Sequence, residues 1–174
     1  MAMRIHHYEK GFLWFSAFML VAFLLALLFA SVSMGIHLPG AVAGGTLDPA
    51  TVRSVAPFDN PGVHQTGENR YEAVVIAQAW AFQPREIHVP AGAEITFTAT
   101  SVDVIHGFRI EGSFINMMLI PGQISRNTYT FDKPGTHLLL CHEFCGAGHH
   151  LMSGVVVVED PAQFAAERAQ GGEG

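Results

Sequence analysis

Charge is scarce in this chain. Nine Lys and Arg stand against fifteen Asp and Glu, for a net charge of −6, and charged side chains make up only 14% of the 174 residues. Soluble domains average about 25%. Runs of Lys or Arg are absent, and the acidic balance excludes the basic face that a nucleic-acid binder needs. Cysteine is equally sparse. Two residues exclude a scaffold of several disulfides and a four-thiolate zinc site. Low-complexity tracts and internal repeats are missing, so repeat architectures are excluded too. The length allows one domain and a segment or two.

What the chain does have is hydrophobic mass, 49% of its residues. Much of it lies in one run. Residues 12–36 carry no charged side chain. A helix of that length spans roughly 37 Å, enough to cross a hydrocarbon core of about 30 Å. The run predicts a single transmembrane helix. A cleaved secretory signal is the alternative, with Ala41-Val42-Ala43 as its small-residue site, but signal cores run only about 7–15 residues. Arg4 and Lys10 flank the near end, and Arg53 is the first basic residue beyond the far end. The positive-inside rule then places residues 1–11 in the cytoplasm and everything after the helix outside.

Residues 37–70 read as a linker. They hold four Pro and five Gly and show neither helical nor strand periodicity. Residues 71–160 read as all-β. Glu94–Thr100 alternates, with Ile95, Phe97 and Ala99 on one face and Glu94, Thr96 and Thr98 on the other. Further strands are expected over Tyr71–Gln78, Ile124–Phe131, Thr136–Cys141 and Gly154–Glu159. Turn signals at Pro90-Ala91-Gly92, Pro121-Gly122 and Lys133-Pro134-Gly135 separate them. Short strands at this spacing suggest a Greek-key β-sandwich, with a small barrel as the alternative. The Ala/Gln/Gly-rich tail, 161–174, is expected to fray.

The chemistry concentrates in one loop. Between two expected strands the chain reads Cys141-His142-Glu143-Phe144-Cys145-Gly146-Ala147-Gly148-His149-His150-Leu151-Met152. Two thiols, an imidazole and a thioether recur as Cys-x3-Cys-x3-His-x2-Met. This soft donor set favours copper. A Cys141–Cys145 disulfide would leave His149 and Met152 unexplained. Zinc has little use for Met. A mononuclear blue-copper site would leave one Cys idle. A second imidazole is needed from elsewhere, and His106, in a loop between strands, is the candidate. His142 and His150 read as outer or surface groups.

The loop, the upstream Asp103-Val104-Ile105-His106-Gly107-Phe108 and the anchor together resemble subunit II of haem–copper cytochrome c oxidases, most closely the B-type branch with its single span. The resemblance implies a cupredoxin-like Greek-key sandwich behind one transmembrane helix, carrying a dinuclear CuA centre. It makes Cys141 and Cys145 bridging thiolates and His106 and His149 terminal ligands. Met152 and the backbone carbonyl of Glu143 become weak axial ligands. In relatives the carboxylate at the Glu143 position also helps hold Mg²⁺ against subunit I. Trp80 and Phe82 match the region through which relatives take up electrons, though alternation alone fits core packing equally well. Glu9 matches a position near the mouth of a proton path in subunit I; an interfacial anchor is the alternative reading.

The implied function is uptake of electrons from cytochrome c or a small copper protein and their transfer to haem in subunit I, where O₂ becomes water and protons are pumped. The implied partners are subunit I, the donor and membrane lipid. Two other functions would share parts of this sequence. One is the CuA subunit of another reductase, of the nitric oxide reductase type. The other is a membrane-anchored copper carrier binding one labile ion. A quinol oxidase subunit would lack the copper ligands.

Overall fold

A computed structural model describes residues 6–33 and 45–171, the side chains of 169–171 excepted. Two compact units emerge, Met1–Ala41 and Val42–Gly174. The first contains helix α1, His7–Ser33. From Phe12 onward its side chains are apolar on every side but for a few Ser, and none of the helix is buried, as expected of a helix whose solvent is lipid. Among the described residues it is the one helix long and apolar enough to cross a membrane. It starts before the apolar run, and residues 34–36 of the expected span lie outside the described part. Glu9 sits in its first turn, where Oε2 accepts the backbone N–H of His6 at 2.9 Å. This satisfies one of the donors that a helix start leaves open.

The second unit is a β-sandwich rather than a closed barrel. One sheet is built from β1 (Gly62–Gly67), β2 (Arg70–Gln78), β3 (Ala81–Gln83), β5 (Glu94–Ser101) and β8 (Ser125–Thr130), in the order β1-β2-β5-β8 with β3 also on β2. The other has β4 (Glu86–Pro90), β6 (His106–Ile110), β7 (Asn116–Leu119), β9 (Gly135–Leu140) and β10 (Ser153–Glu159), in the order β4-β10-β9-β6-β7. The pairs β2·β5 and β4·β10 are parallel. Val75, Ile95, Phe97 and Ala99 of the first sheet meet Ile87, Phe108, Leu139 and Val156 of the second in one dry core. Phe97 lies 6.1 Å from Phe108 and 6.4 Å from Phe131. Aromatic pairs of this kind add about 0.5–1.5 kcal/mol beyond their buried area.

The alternation expected along β5 holds on its inner face only. Thr98 and Thr100 are buried as well. Residues 45–61, expected to be linker, fold over the outer face of the first sheet and bury Val52 and Phe58 against Val74 and Ile76. With both faces covered, Ala73–Ala77 reads as an unbroken apolar run. The buried threonines pair instead of facing water: Thr98 Oγ1 donates to Glu72 Oε1 at 2.6 Å, and Thr100 Oγ1 to the Gln123 carbonyl at 2.7 Å.

Two expectations need correction. The 37–70 segment contains β1, which pairs antiparallel with β2 through a turn where Asn69 takes φ 56°. Gln65 and Thr66 are exposed polar residues on an edge strand, so no apolar alternation marked it. The tail does not begin by fraying: α2 runs from Pro161 to Gly171. Asp160 Oδ1 accepts the Ala162 N–H at 2.9 Å, Pro161 occupies the first turn, and Phe164 buries its ring edge-on against Tyr71 at 5.4 Å.

Candidate metal centre

β9 delivers Cys141 at its end, and β10 takes the chain back at Ser153. The Cys141 N–H donates to the Met152 carbonyl at 3.3 Å, which closes the base of the loop. Inside, His149 N–H reaches the Gly146 carbonyl at 3.1 Å, and Met152 N–H the His149 carbonyl at 3.1 Å. Gly146 takes φ 115°, open to glycine alone among common residues. The tight fold turns the side chains at 141, 145, 149 and 152 toward one another. β6 runs antiparallel beside β9 and brings in His106, fully buried.

The resulting geometry is a cluster of soft donors. Cys141 and Cys145 are free, buried thiols with sulfurs 3.7 Å apart. His106 Nδ1 lies 3.9 Å from the Cys141 sulfur, and His149 Nδ1 3.5 Å from the Cys145 sulfur. Met152 Sδ is 3.7 Å from the Cys145 sulfur, and the Glu143 carbonyl 3.3 Å from that of Cys141. The six groups thus form two sets around a central sulfur pair. Contacts this long to sulfur are weak hydrogen bonds. A buried cluster held by so little of its own bonding fits soft metal ions, and copper best among them. Burial first, then the neighbouring Cys141 thiol, pushes Cys145 up to about 11. Metal binding must displace that proton.

Asp103 was not singled out as a site residue, yet it organises one side of the cluster. Its Oδ1 accepts from His106 Nε2 at 2.9 Å and from the Val104 N–H at 2.7 Å, and its Oδ2 accepts the Ala79 N–H at 2.6 Å. Burial alone would raise the Asp103 carboxyl, but the hydrogen bond from His106 and those from the two backbone N–H groups hold it below its usual range. The protonated Nε2 leaves Nδ1 with its lone pair directed at the sulfurs, the arrangement that carboxylate-backed metal histidines use.

Trp80 and Phe82 part company. Trp80 is half exposed and lies over the loop, its Nε1–H donating to the Cys145 carbonyl at 3.1 Å. Phe82 is 2% exposed and packs edge-on against Phe108 at 5.6 Å, so it belongs to the core. Strand β3 turns residue 82 inward, leaving only Trp80 at the surface. His142 and His150 are exposed, and the His142 ring rests on Gly107, where a Cβ would come within 2.3 Å of Nδ1. The Glu143 carboxylate joins no ligand cluster among the described residues. Glu9 is exposed in α1.

The family model for the cytochrome c oxidase subunit II periplasmic domain matches residues 79–159. The cytochrome c oxidase subunit 2 of Thermus thermophilus is 44% identical over 158 residues, 88% of this chain and 92% of that protein. A chain of a heme–copper terminal oxidase dimer solved by cryo-electron microscopy superposes with a TM-score of 0.73 at 34% identity, covering 87% of this chain and 99% of that one. The periplasmic domain of cytochrome oxidase subunit II from Bradyrhizobium japonicum has a TM-score of 0.51 at 23% identity, over 55% of this chain and 88% of that one, a likeness of fold. The sandwich is therefore cupredoxin-like, and the chain belongs to the cytochrome c oxidase subunit II family, a subunit of the haem–copper oxidase complex.

Proposed function

We propose that this chain is the electron-receiving subunit of its oxidase and holds a dinuclear CuA centre. The observation that carries the reading is the buried pair of free thiols with an imidazole beside each sulfur. Cys141 and Cys145 would bridge the ions, and His106 and His149 would bind one each. Met152 and the Glu143 carbonyl would contribute weakly. When bound, such a centre would take single electrons from cytochrome c or a small copper protein and hand them to haem in subunit I.

The protein's own groups would do the rest. Both thiols give up their protons as the site fills. Asp103 fixes the His106 tautomer. The sandwich anchors the donor loop at both ends, on β9 and β10, and sets His106 at the start of β6, so the donors would shift little between charge states. Trp80, lying over Gly146 and Gly148, and the exposed Phe144 and Leu151 of the same loop would offer an apolar rim for a donor. The Glu143 carboxylate would meet Mg²⁺ at the subunit I boundary. Helix α1 would cross the membrane with its N-terminus in the cytoplasm and the β-sandwich outside. Glu9 would then lie at the cytoplasmic interface, near a proton path of subunit I.

The test is copper stoichiometry and electron paramagnetic resonance on the full chain in detergent. Two coppers per chain sharing one unpaired electron, seen as a seven-line hyperfine pattern, is the expected result. One copper with a four-line pattern would replace this reading with a mononuclear carrier.

A further inference from the structure

At the opposite end of β10 from the copper loop sits a second polar cluster. Glu159 closes that strand with a side chain only 6% exposed. One oxygen, Oε1, meets Nδ1 of His88 on β4. The other, Oε2, is buried and has no hydrogen-bond partner. Buried carboxylate oxygens are almost always paired, so this one calls for a reason. Helix α2 supplies a further carboxylate. Ligand atoms of His88, Glu159 and Glu167 all lie within 4.8 Å of one another. Glu86 Oε1 stands 3.2 Å from the other ring nitrogen of His88.

The charges in this corner do not balance. Three carboxylates face one imidazole, and Glu159 holds that imidazole above its usual pKa. Even fully protonated, His88 offsets one negative charge of three. Among the described residues no Lys or Arg pairs with Glu86, Glu159 or Glu167. Arg168, next to Glu167, is engaged elsewhere: its Nη1 donates to the Val63 carbonyl at 2.9 Å and its guanidinium lies over the Phe164 ring.

We propose that His88, Glu159 and Glu167 form a site for a divalent transition ion of the zinc class, distinct from the copper centre. Imidazole nitrogen and carboxylate oxygen are both zinc ligands, and zinc sites with three protein ligands leave a fourth position to water. The absence of sulfur from the set disfavours cuprous ion, and an imidazole ligand disfavours calcium and magnesium, which prefer oxygen. The site lies about 23 Å along β10 from Met152, at roughly 3.3 Å per residue. Its ligands come from β4, β10 and α2, so the ion ties the C-terminal helix to the second sheet.

The experiment uses the full-length, untagged chain in detergent with its copper loaded, titrated with zinc chloride. Bound zinc is counted after desalting, and its ligands are read from zinc-edge X-ray absorption. One zinc per chain with a nitrogen/oxygen shell free of sulfur is expected. E167Q changes an exposed helix residue and leaves the core intact; it should weaken zinc binding tenfold or more, and H88N should do the same. Amide exchange in α2 should slow on adding zinc to the wild type and not to E167Q. Failure to retain zinc, a sulfur-containing shell, or affinity unchanged within twofold in both variants would overturn the site. The copper reading stands or falls separately, on the count of copper.

Discussion

Trp80 and Gly148 are cut to fit one another. The indole lies against the loop so closely that a Cβ at 148 would come within 2.4 Å of Cδ2 and 2.7 Å of Cγ. The ring also covers Gly146, where an added Cβ would come within 3.2 Å of Nε1. A surface tryptophan thus serves as the lid of the metal loop, and the glycines of the motif are the seat of that lid.

Gly148→Ala should therefore displace the indole. Overpacking of this kind costs about 1–3 kcal/mol. The variant should unfold at lower temperature and bind copper with altered spectra. Trp80→Ala removes the obstruction, so the double variant should lose less than the sum of the two singles. A thermal-denaturation cycle checks this; strict additivity would show that the contact is not the cause.

Asp103→Asn tests the backing of His106. The substitution keeps an acceptor oxygen but removes the charge that fixes the imidazole. Loss of an outer partner to a metal histidine typically costs about 10–100-fold in metal affinity. The expected result is a drop of that size in a copper competition titration, with the fold retained by far-ultraviolet circular dichroism. Affinity equal to wild type would assign Asp103 to loop structure alone, through its bonds to Ala79 and Val104.

Met152 and Cys145 should behave differently when replaced. Met152→Leu conserves volume at a 2% exposed position, and such swaps usually cost under about 1.5 kcal/mol. Copper should stay bound and its reduction potential should shift. Cys145→Ser removes the sulfur that faces Cys141, His149 and Met152 together. That variant should lose the shared-electron signal. Two equivalent coppers in Cys145→Ser would contradict the bridging assignment.

Phe164 anchors α2, and its truncation should release the helix. The ring is 4% exposed and meets Tyr71 edge-on. Buried Phe→Ala changes cost about 3–5 kcal/mol in cores, and a helix docked on a surface can relax more, so roughly 3 kcal/mol is expected. Faster amide exchange confined to α2, with the strands unchanged, is the accompanying signature.

The parts of this molecule that were legible in the sequence are those where one residue pattern has one physical cause. The apolar run of α1 suits a lipid solvent, and the inner-face alternation of β5 follows from burial. The donor loop was legible because few other uses bring two Cys, a His and a Met into twelve residues. What escaped was set by tertiary context. β1 shows polar residues because it is an edge strand, and Thr98 is buried because a loop covers the outer face. Phe82 and Trp80 alternate equally well as core or as rim, and only the path of β3 separates them. Asp103 is one acid among many until His106 is seen beside it. The tail was expected to fray as a chain terminus, yet Pro161 and Phe164 start and seat a helix.

Without metal, the buried thiols should resist alkylation at neutral pH. Burial and the adjacent Cys141 hold Cys145 up at about 11. Only the thiolate attacks an alkylating agent. An exposed cysteine with a pKa of about 8.5 would reach its limiting rate by roughly pH 9.5. Cys145 in the chelated, reduced full chain should instead react slowly at neutral pH and keep accelerating, about tenfold per pH unit, toward pH 11. The sign for stability follows. Below the ordinary thiol range the buried proton is no burden to the fold. As the pH rises through that range toward 11, the unfolded chain ionises and the folded chain does not, so the metal-free fold weakens. Mass-spectrometric counting of iodoacetamide adducts at Cys145 against pH gives the profile directly. A plateau by pH 9.5 would mean that solvent reaches the sulfur pair.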